Sequence, residues 1–192
     1  MCFFINTKVE VDPLTGSEKD ASEIILLKEN PKLDLLVSTL NNIPKDRKVI
    51  IWSVYTAMIK MIEHKLKAAF GDKSCISVYG DVDAFEAGNK FRDDPEIKYF
   101  IANQKKAGTG LNLQFSSYQI FCSNNYSYVQ RDQAEARQDR QGQKSNMTII
   151  DLVCSGTIDE TILGIIMNKK DLAMDLSSLA RMVEVDYERI AA

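Results

Sequence analysis

The stretch KVIIWSVYTAMIKMIEHKLKAAFG, residues 48–71, is where the fold is first legible. Its opening is a continuous apolar run rich in branched side chains, the mark of a strand covered on both faces. The rest repeats Met58, Met61, Ile62 and Leu66 at helical spacing until Gly71 stops it. A buried strand feeding an amphipathic helix is half of a parallel crossover. The same alternation recurs downstream, with SCISVYG, IKYFIAN, SYQIFCS and MTIIDLV as short apolar strands. DVDAFEAGNKFRDD, residues 128–140 and TIDETILGIIMNKKDLAM read as helices. This series predicts an α/β, doubly wound, mostly parallel sheet with helices on both faces. Ligands are then expected at the carboxyl ends of the strands.

Upstream, PKLDLLVSTLNNI sets Leu33, Leu36, Val37 and Leu40 on one helical stripe, with Pro31 suited to the first turn. An ordered domain is therefore expected over 31–192, with 1–30 an N-terminal appendage or linker. Within that appendage MCFFINTKVEV reads as a strand candidate and DPLTGSEKD as a turn-rich polar connector.

Composition narrows the function. With 192 residues, 45% hydrophobic and 27% charged, the chain has the make-up of one globular domain with a proper core. A net charge of −3 and a pI near 5.3 exclude nucleic-acid binding by bulk charge, so any such contact is local. Cys2, Cys75, Cys122 and Cys154 are scattered without a CxxC pair, and read as small, mostly buried side chains in a reducing compartment. No apolar run approaches the roughly 18 residues of a membrane span, and no signal-peptide pattern opens the chain. The cytoplasm is the expected location, or the nucleus in a eukaryotic host. His64 is expected at the surface and Trp52 packed within or beside the sheet.

The polar chemistry concentrates after the strands, at 53–56, 79–81, 103–112 and 123–128, and in QAEARQDRQGQ, residues 133–143. Gly108 and Gly110 of AGTGLNLQ permit close backbone approach, and the following LNL offers a turn whose amides suit an anion. No GxxxxGK[ST] is present, and AGTGLNLQ lacks the third glycine of a dinucleotide fingerprint. Arg137 and Arg140, three apart, share a face if their segment is helical. Their planar forks suit phosphate or carboxylate oxygens. Pairing with Glu135 and Asp139 on a solvated helix is the competing reading. Spacing leaves both open.

Taken together, AGTGLNLQ, QAEARQDRQGQ and TIDETIL resemble motifs V and VI and the downstream segment of Swi/Snf-type superfamily 2 helicases and translocases. The family patterns are AGGxGLNL, QAxxRxHRxGQ and T-x-E-x-I. The matching residues are Ala107, Gly108, Gly110, Leu111, Asn112, Leu113, Gln133, Ala134, Arg137, Arg140, Gly142, Gln143, Thr157, Thr161 and Ile162. KVIIWSVY resembles motif IV, and the turn YGDV the family's DGS turn. Asp139 stands where the family commonly has histidine, and Gln141 where it has an apolar residue. A carboxylate there either holds the arginines in place or blunts their charge. SNNYSYVQ replaces the usual tryptophan-containing approach to motif VI, a variation associated with bacterial and phage members.

The resemblance implies a RecA-like lobe, the C-terminal half of a two-lobed ATP-dependent DNA motor. Arg140 would be the arginine finger and Arg137 its neighbour on the γ-phosphate. Gly108, Thr109, Gly110, Asn112 and Gln133 would lie on the nucleotide side. Ser53, Tyr55, Thr56, Gly80, Asp81, Asn103, Gln104 and Lys105 would hold the backbone of duplex DNA, with Lys106 adding charge. Ordinary helix capping is the competing role for these polar groups. ATP and Mg2+ would be held mainly by an N-terminal RecA-like lobe missing from this chain, which alone would be inactive. The alternative is a non-catalytic lobe serving as a DNA- or protein-binding module, which the acidic pI and Asp139 favour. A small-molecule enzyme of this fold class would need a glycine fingerprint after the first strand, which WSVYTAM lacks.

Overall fold

The computed structural model describes residues 3–11, 18–26, 30–105, 111, 113–137 and 147–173. Strands β1 (Phe3–Val11) and β2 (Glu18–Leu26) pair antiparallel as a separate two-stranded sheet, from Phe3 opposite Leu26 to Val11 opposite Glu18. The strand expected in MCFFINTKVEV is present. The expected connector DPLTGSEKD is not wholly a connector, because Glu18, Lys19 and Asp20 belong to β2 and pair with Val11, Glu10 and Val9. Ladder bonds overrode the polar character of those three side chains.

Helix α1 (Pro31–Asn41) begins as the sequence predicts, with Pro31 in its first turn. The Asn30 side chain accepts from the Leu33 amide at 3.1 Å, satisfying one of the donors a helix start leaves open. The central sheet follows: β3 (Val49–Trp52), β4 (Cys75–Val78), β5 (Tyr99–Ala102), β6 (Tyr118–Phe121) and β7 (Thr148–Asp151). Its order is β4-β5-β3-β6-β7, and every neighbouring pair is parallel. Between and after these strands run α2 (Thr56–Phe70), α3 (Ala84–Asp93), α4 (Tyr128–Glu135) and α5 (158–173).

Period-two alternation divides β3 between two cores. Val49 and Ile51 join Leu36 of α1 and Ile59, Ile62 and Leu66 of α2 on one face. Ile50 and Trp52 join Ala87 and Phe91 of α3 and Ala134 of α4 on the other. All four side chains of β3 are therefore buried, which is why its run shows no polar alternation. Among the cysteines, Cys75 and Cys122 are buried as expected, whereas Cys154 is half-buried in the turn before α5. His64 is exposed and Trp52 fully buried, both as expected.

The topology sets where the strands open. Strands β3 and β6 are neighbours, yet α2 and α4, which follow them, leave to opposite faces. The two connections separate there, at the carboxyl edge, the usual ligand position of this architecture.

Candidate functional site

The strands end in register: Trp52 lies opposite both Ala102 and Phe121, Ala102 opposite Val78, and Phe121 opposite Asp151. The segments that follow them consequently line one edge. Their side chains are knitted into a polar lattice across it. Asn103 Nδ2 donates to the Val54 carbonyl at 2.5 Å, and its Oδ1 accepts from the Lys105 amide at 2.9 Å. Ser123 Oγ lies 3.1 Å from Ser53 Oγ and accepts from the Val54 amide at 2.9 Å. Gln104 Nε2 donates to the Ser123 carbonyl and to Asn124 Oδ1, at 3.3 and 3.2 Å. Asn124 Nδ2 in turn donates to Asp151 Oδ1 at 2.9 Å.

This lattice sorts the residues expected to meet a polyanion. Ser53 and Gln104 are buried within it, so their side chains brace the edge rather than face outward. The Gln104 Oε1 acceptor is buried without a partner. Asn103 is half-buried and bridges β5 to β3. Tyr55, Thr56, Gly80, Asp81 and Lys105 are exposed.

Capping does not account for the group after β3. Helix α2 starts at Thr56 with no side-chain cap at Tyr55, whereas Asn30, Asp83 and Ser127 cap α1, α3 and α4. In α5, Thr157 Oγ1 accepts from the Asp159 amide. Gly80 adopts φ +56° in the turn between β4 and α3, and the Asp83 carboxylate caps that helix by accepting from the Phe85 and Glu86 amides.

Helix α4 carries the beginning of QAEARQDRQGQ. Ser127 caps it, Gln133 faces solvent, and Ala134 packs on the sheet. The helix is shorter than the 128–140 expected, ending at Glu135, with Ala136 as its cap and Arg137 in the turn beyond. One tertiary bond and one local backbone bond act at that end. Glu135 O accepts from Gln119 Nε2 at 3.1 Å, and the Arg137 amide bonds the Ala134 carbonyl at 3.3 Å in a tightened turn. Arg137 therefore lies past the helix end rather than within the expected helix, and is half-buried. Gly108, Thr109, Gly110, Asn112 and Arg140, with Lys106 and Asp139, lie outside the described residues.

One residue that sequence reasoning passed over dominates the region. Arg131, with a side chain only 3% exposed, forms ion pairs with Glu135 and Asp151, both 14% exposed. Burial works against its charge, but the Asp151 and Glu135 carboxylates outweigh burial and raise its pKa above the ordinary arginine value. Glu135 also meets Lys170 of α5 at 3.2 Å, so this carboxylate serves Arg131 and α5. Two cations and two anions make the cluster neutral. The available signals were the i,i+4 spacing of Arg131 and Glu135 and the solitary acid in TIIDLV.

A second buried cation ties the edge together from the other face. Lys32, 5% exposed, donates to the Cys122 carbonyl at 2.8 Å and to Asp159 at 2.5 Å. Burial opposes ionisation of Asp159, yet Lys32 and the Cys154 amide hold its carboxyl below the usual carboxylate value. A cavity of about 610 Å3, bordered by Val49, Phe70, Ser74 and Tyr99, opens at the opposite, amino edge of the sheet, remote from this chemistry.

No protein-family model matches the chain. It is 34% identical over 137 residues to the DNA repair and recombination protein RDH54 of Saccharomyces cerevisiae (strain JAY291), across 69% of this chain and 15% of that protein. It is 25% identical over 192 residues to the DNA repair protein RAD5 of Eremothecium gossypii, across 96% of this chain and 16% of that protein. The chain thus spans about a sixth of the length of these relatives. Both are fungal, so the bacterial or phage affinity expected from SNNYSYVQ finds no support in them. Among solved structures, the C-terminal part of the Fun30 ATPase domain aligns at a TM-score of 0.65 and 27% identity, over 71% of this chain and 45% of that one. Sequence and fold together make this chain a homologue of the Swi/Snf-type superfamily 2 ATPases, matching their C-terminal RecA-like part.

Proposed function

We propose that the chain is the C-terminal lobe of an ATP-dependent DNA helicase or translocase. Its residues 31–192 form the lobe and 1–30 an appendage or linker to it. The observation that carries this reading is the in-register carboxyl edge, which aligns the segment after β3, the segment after β5 and the start of α4. Tyr55, Thr56 and Lys105, exposed there, meet the DNA backbone, and the start of α2, without a side-chain cap, directs amides at it. The turn at Gly80 and Asp81 contributes backbone amides. Ser53, Asn103 and Gln104 act as struts that hold these groups in place. Duplex DNA is the substrate in this reading, gripped by local contacts that a net charge of −3 does not oppose.

The nucleotide side falls to Gly108, Thr109, Gly110, Asn112 and Gln133, with Arg137 and Arg140 turned to the γ-phosphate. Their backbone amides, side-chain amides, hydroxyl and guanidiniums supply donors that suit phosphate oxygens. The nearby Asp151 and Glu135 are neutralised by Arg131 and Lys170. ATP and Mg2+ are therefore assigned mainly to an N-terminal RecA-like lobe, in the same polypeptide or supplied separately. Bound there, the nucleotide supplies the phosphoryl group whose charge Arg140 stabilises. Arginine fingers contribute on the order of 10³ to 10⁵ in rate, roughly 4 to 7 kcal/mol of barrier. Lobe closure brings the arginines in, and opening after hydrolysis releases them. Such a protein works where DNA is, in the nucleus of a eukaryote or the cytoplasm of a bacterium or phage-infected cell.

The test is DNA-stimulated ATP hydrolysis by the chain alone and joined to an N-terminal lobe, with Arg140→Ala and Arg137→Ala as comparisons. Turnover is expected only in the joined protein, and loss of at least about 10³-fold in Arg140→Ala with DNA binding retained. Motor-like turnover by the chain alone, or indifference to Arg140, would overturn it. The second reading, a non-catalytic DNA- or protein-binding lobe, draws on the acidic pI and on Asp139 between the two arginines. It takes precedence if the joined protein binds DNA without hydrolysing ATP.

A further inference from the structure

The Arg131 cluster has a geometry that neither the motifs nor the grip on DNA requires. Nη1 and Nη2 of Arg131 donate to the two oxygens of Asp151, at 2.6 and 2.9 Å. Nε donates to Glu135 Oε1 at 2.6 Å, and Nη1 also reaches Asn124 Oδ1 at 3.1 Å. The guanidinium lies over the Phe121 ring, 3.5 Å from its centroid. One side chain thus joins α4 to the end of β7, to the segment after β6 and to the ring of the last residue of β6.

We propose that Arg131 is a positioning residue, fixing the rotation and depth of α4 and with them the placement of Gln133 and Arg137. This rests on the preceding reading that α4 serves a nucleotide. Helix α4 has eight residues and buries only Arg131 and Ala134, so neither its own propensity nor an apolar stripe holds it. A bidentate fork on Asp151 fixes orientation as well as contact, which an aliphatic side chain on the same surface does not. Gln133 lies two residues beyond Arg131, and Arg137 six. A small rotation at Arg131 therefore displaces both. Misplacement by about 1 Å costs on the order of 10²-fold in reactions that depend on alignment.

Arg131→Lys keeps the charge and removes the fork, whereas Asp151→Asn keeps the shape and removes the charge. Both, singly and together, are to be compared with the wild type in the protein carrying both lobes, at a temperature where Trp52 fluorescence shows all forms folded. Expected is a fall in kcat of roughly 10- to 100-fold, with KM for ATP and affinity for DNA within about twofold. The double variant should lose little more than either single one. Amide exchange over 128–137 should quicken in the variants while β3 stays protected. A purely structural role would lower the melting temperature and leave kcat of the folded protein unchanged, which would overturn the proposal. If the wild type shows no DNA-stimulated turnover, the nucleotide reading fails. The hold of Arg131 on α4 is then decided by exchange alone, quickened exchange supporting it and unchanged exchange overturning it.

Discussion

At the scale of single residues, burial decides what each polar side chain is able to do. Cys75 shows this most directly: burial, reinforced by Glu63, pushes its thiol up to about 11. At pH 8 only about one thiol in a thousand is then ionised, and only the thiolate attacks an electrophile. Cys75 should resist a thiol reagent that labels the half-buried Cys154, and react only once the protein unfolds. Mass spectrometry of peptides labelled with and without urea checks this. Asp159 gives a pH dependence of definite sign. Its folded carboxyl is held below the ordinary 3.8, so its contribution is complete above that value and disappears as pH falls through the lower folded value. The stability difference between wild type and Asp159→Asn should therefore be constant from pH 7 to about 5 and shrink below about 4, measured by urea unfolding at each pH.

At the scale of elements, the ends matter more than the middles. Helix α2 is closed by Gly71, whose φ of +100° and ψ of 156° lie in a region open essentially to glycine alone. A Cβ there would meet nothing within 4 Å, so the cost of Gly71→Ala is one of backbone strain, not crowding. It should destabilise the protein by about 1–3 kcal/mol in urea unfolding, and a fall below about 0.3 kcal/mol would refute the strain argument. Helix α4 is the opposite case. Its start is set locally by Ser127, but its end coincides with a bond from Gln119 and with the tightened turn at Arg137. For that reason sequence reasoning located the first boundary within a residue and overran the second.

At the scale of the whole molecule, the single tryptophan sits in the core that faces α3 and α4, on a strand shared with the other core. Trp52 Nε1 donates to Gln119 Oε1 at 2.7 Å, and Gln119 passes the link to Glu135 of α4. Its ring stacks on Phe121 with centroids 6.2 Å apart. Because β3 contributes side chains to both cores, the two should be lost together with the strand, exposing the indole. Trp52 emission and far-ultraviolet circular dichroism should therefore report the same urea midpoint for the α/β body, and separated midpoints would show that its two faces unfold independently.

The strands, the helices and their alternation were readable because β3, α1 and α2 obey simple periodicities that follow from which face each residue buries. The motif resemblance pointed to the family for a related reason: AGTGLNLQ and QAEARQDRQGQ hold unusual residues at fixed spacing. The sequence by itself thus determined the parallel α/β class, the carboxyl edge and the segments bordering it. Only the tertiary structure decided which of those side chains stand outward and which brace the edge. Ser53 and Gln104 look as exposed as Thr56 in a string of letters, but become buried when β3, β5 and β6 align. Arg131 looked like one more solvated charge until Asp151, twenty residues away, arrived beside it on β7. Local sequence records the period of a helix or strand; the partner of a buried charge is set by which distant strand is its neighbour, and that is a property of the assembled sheet.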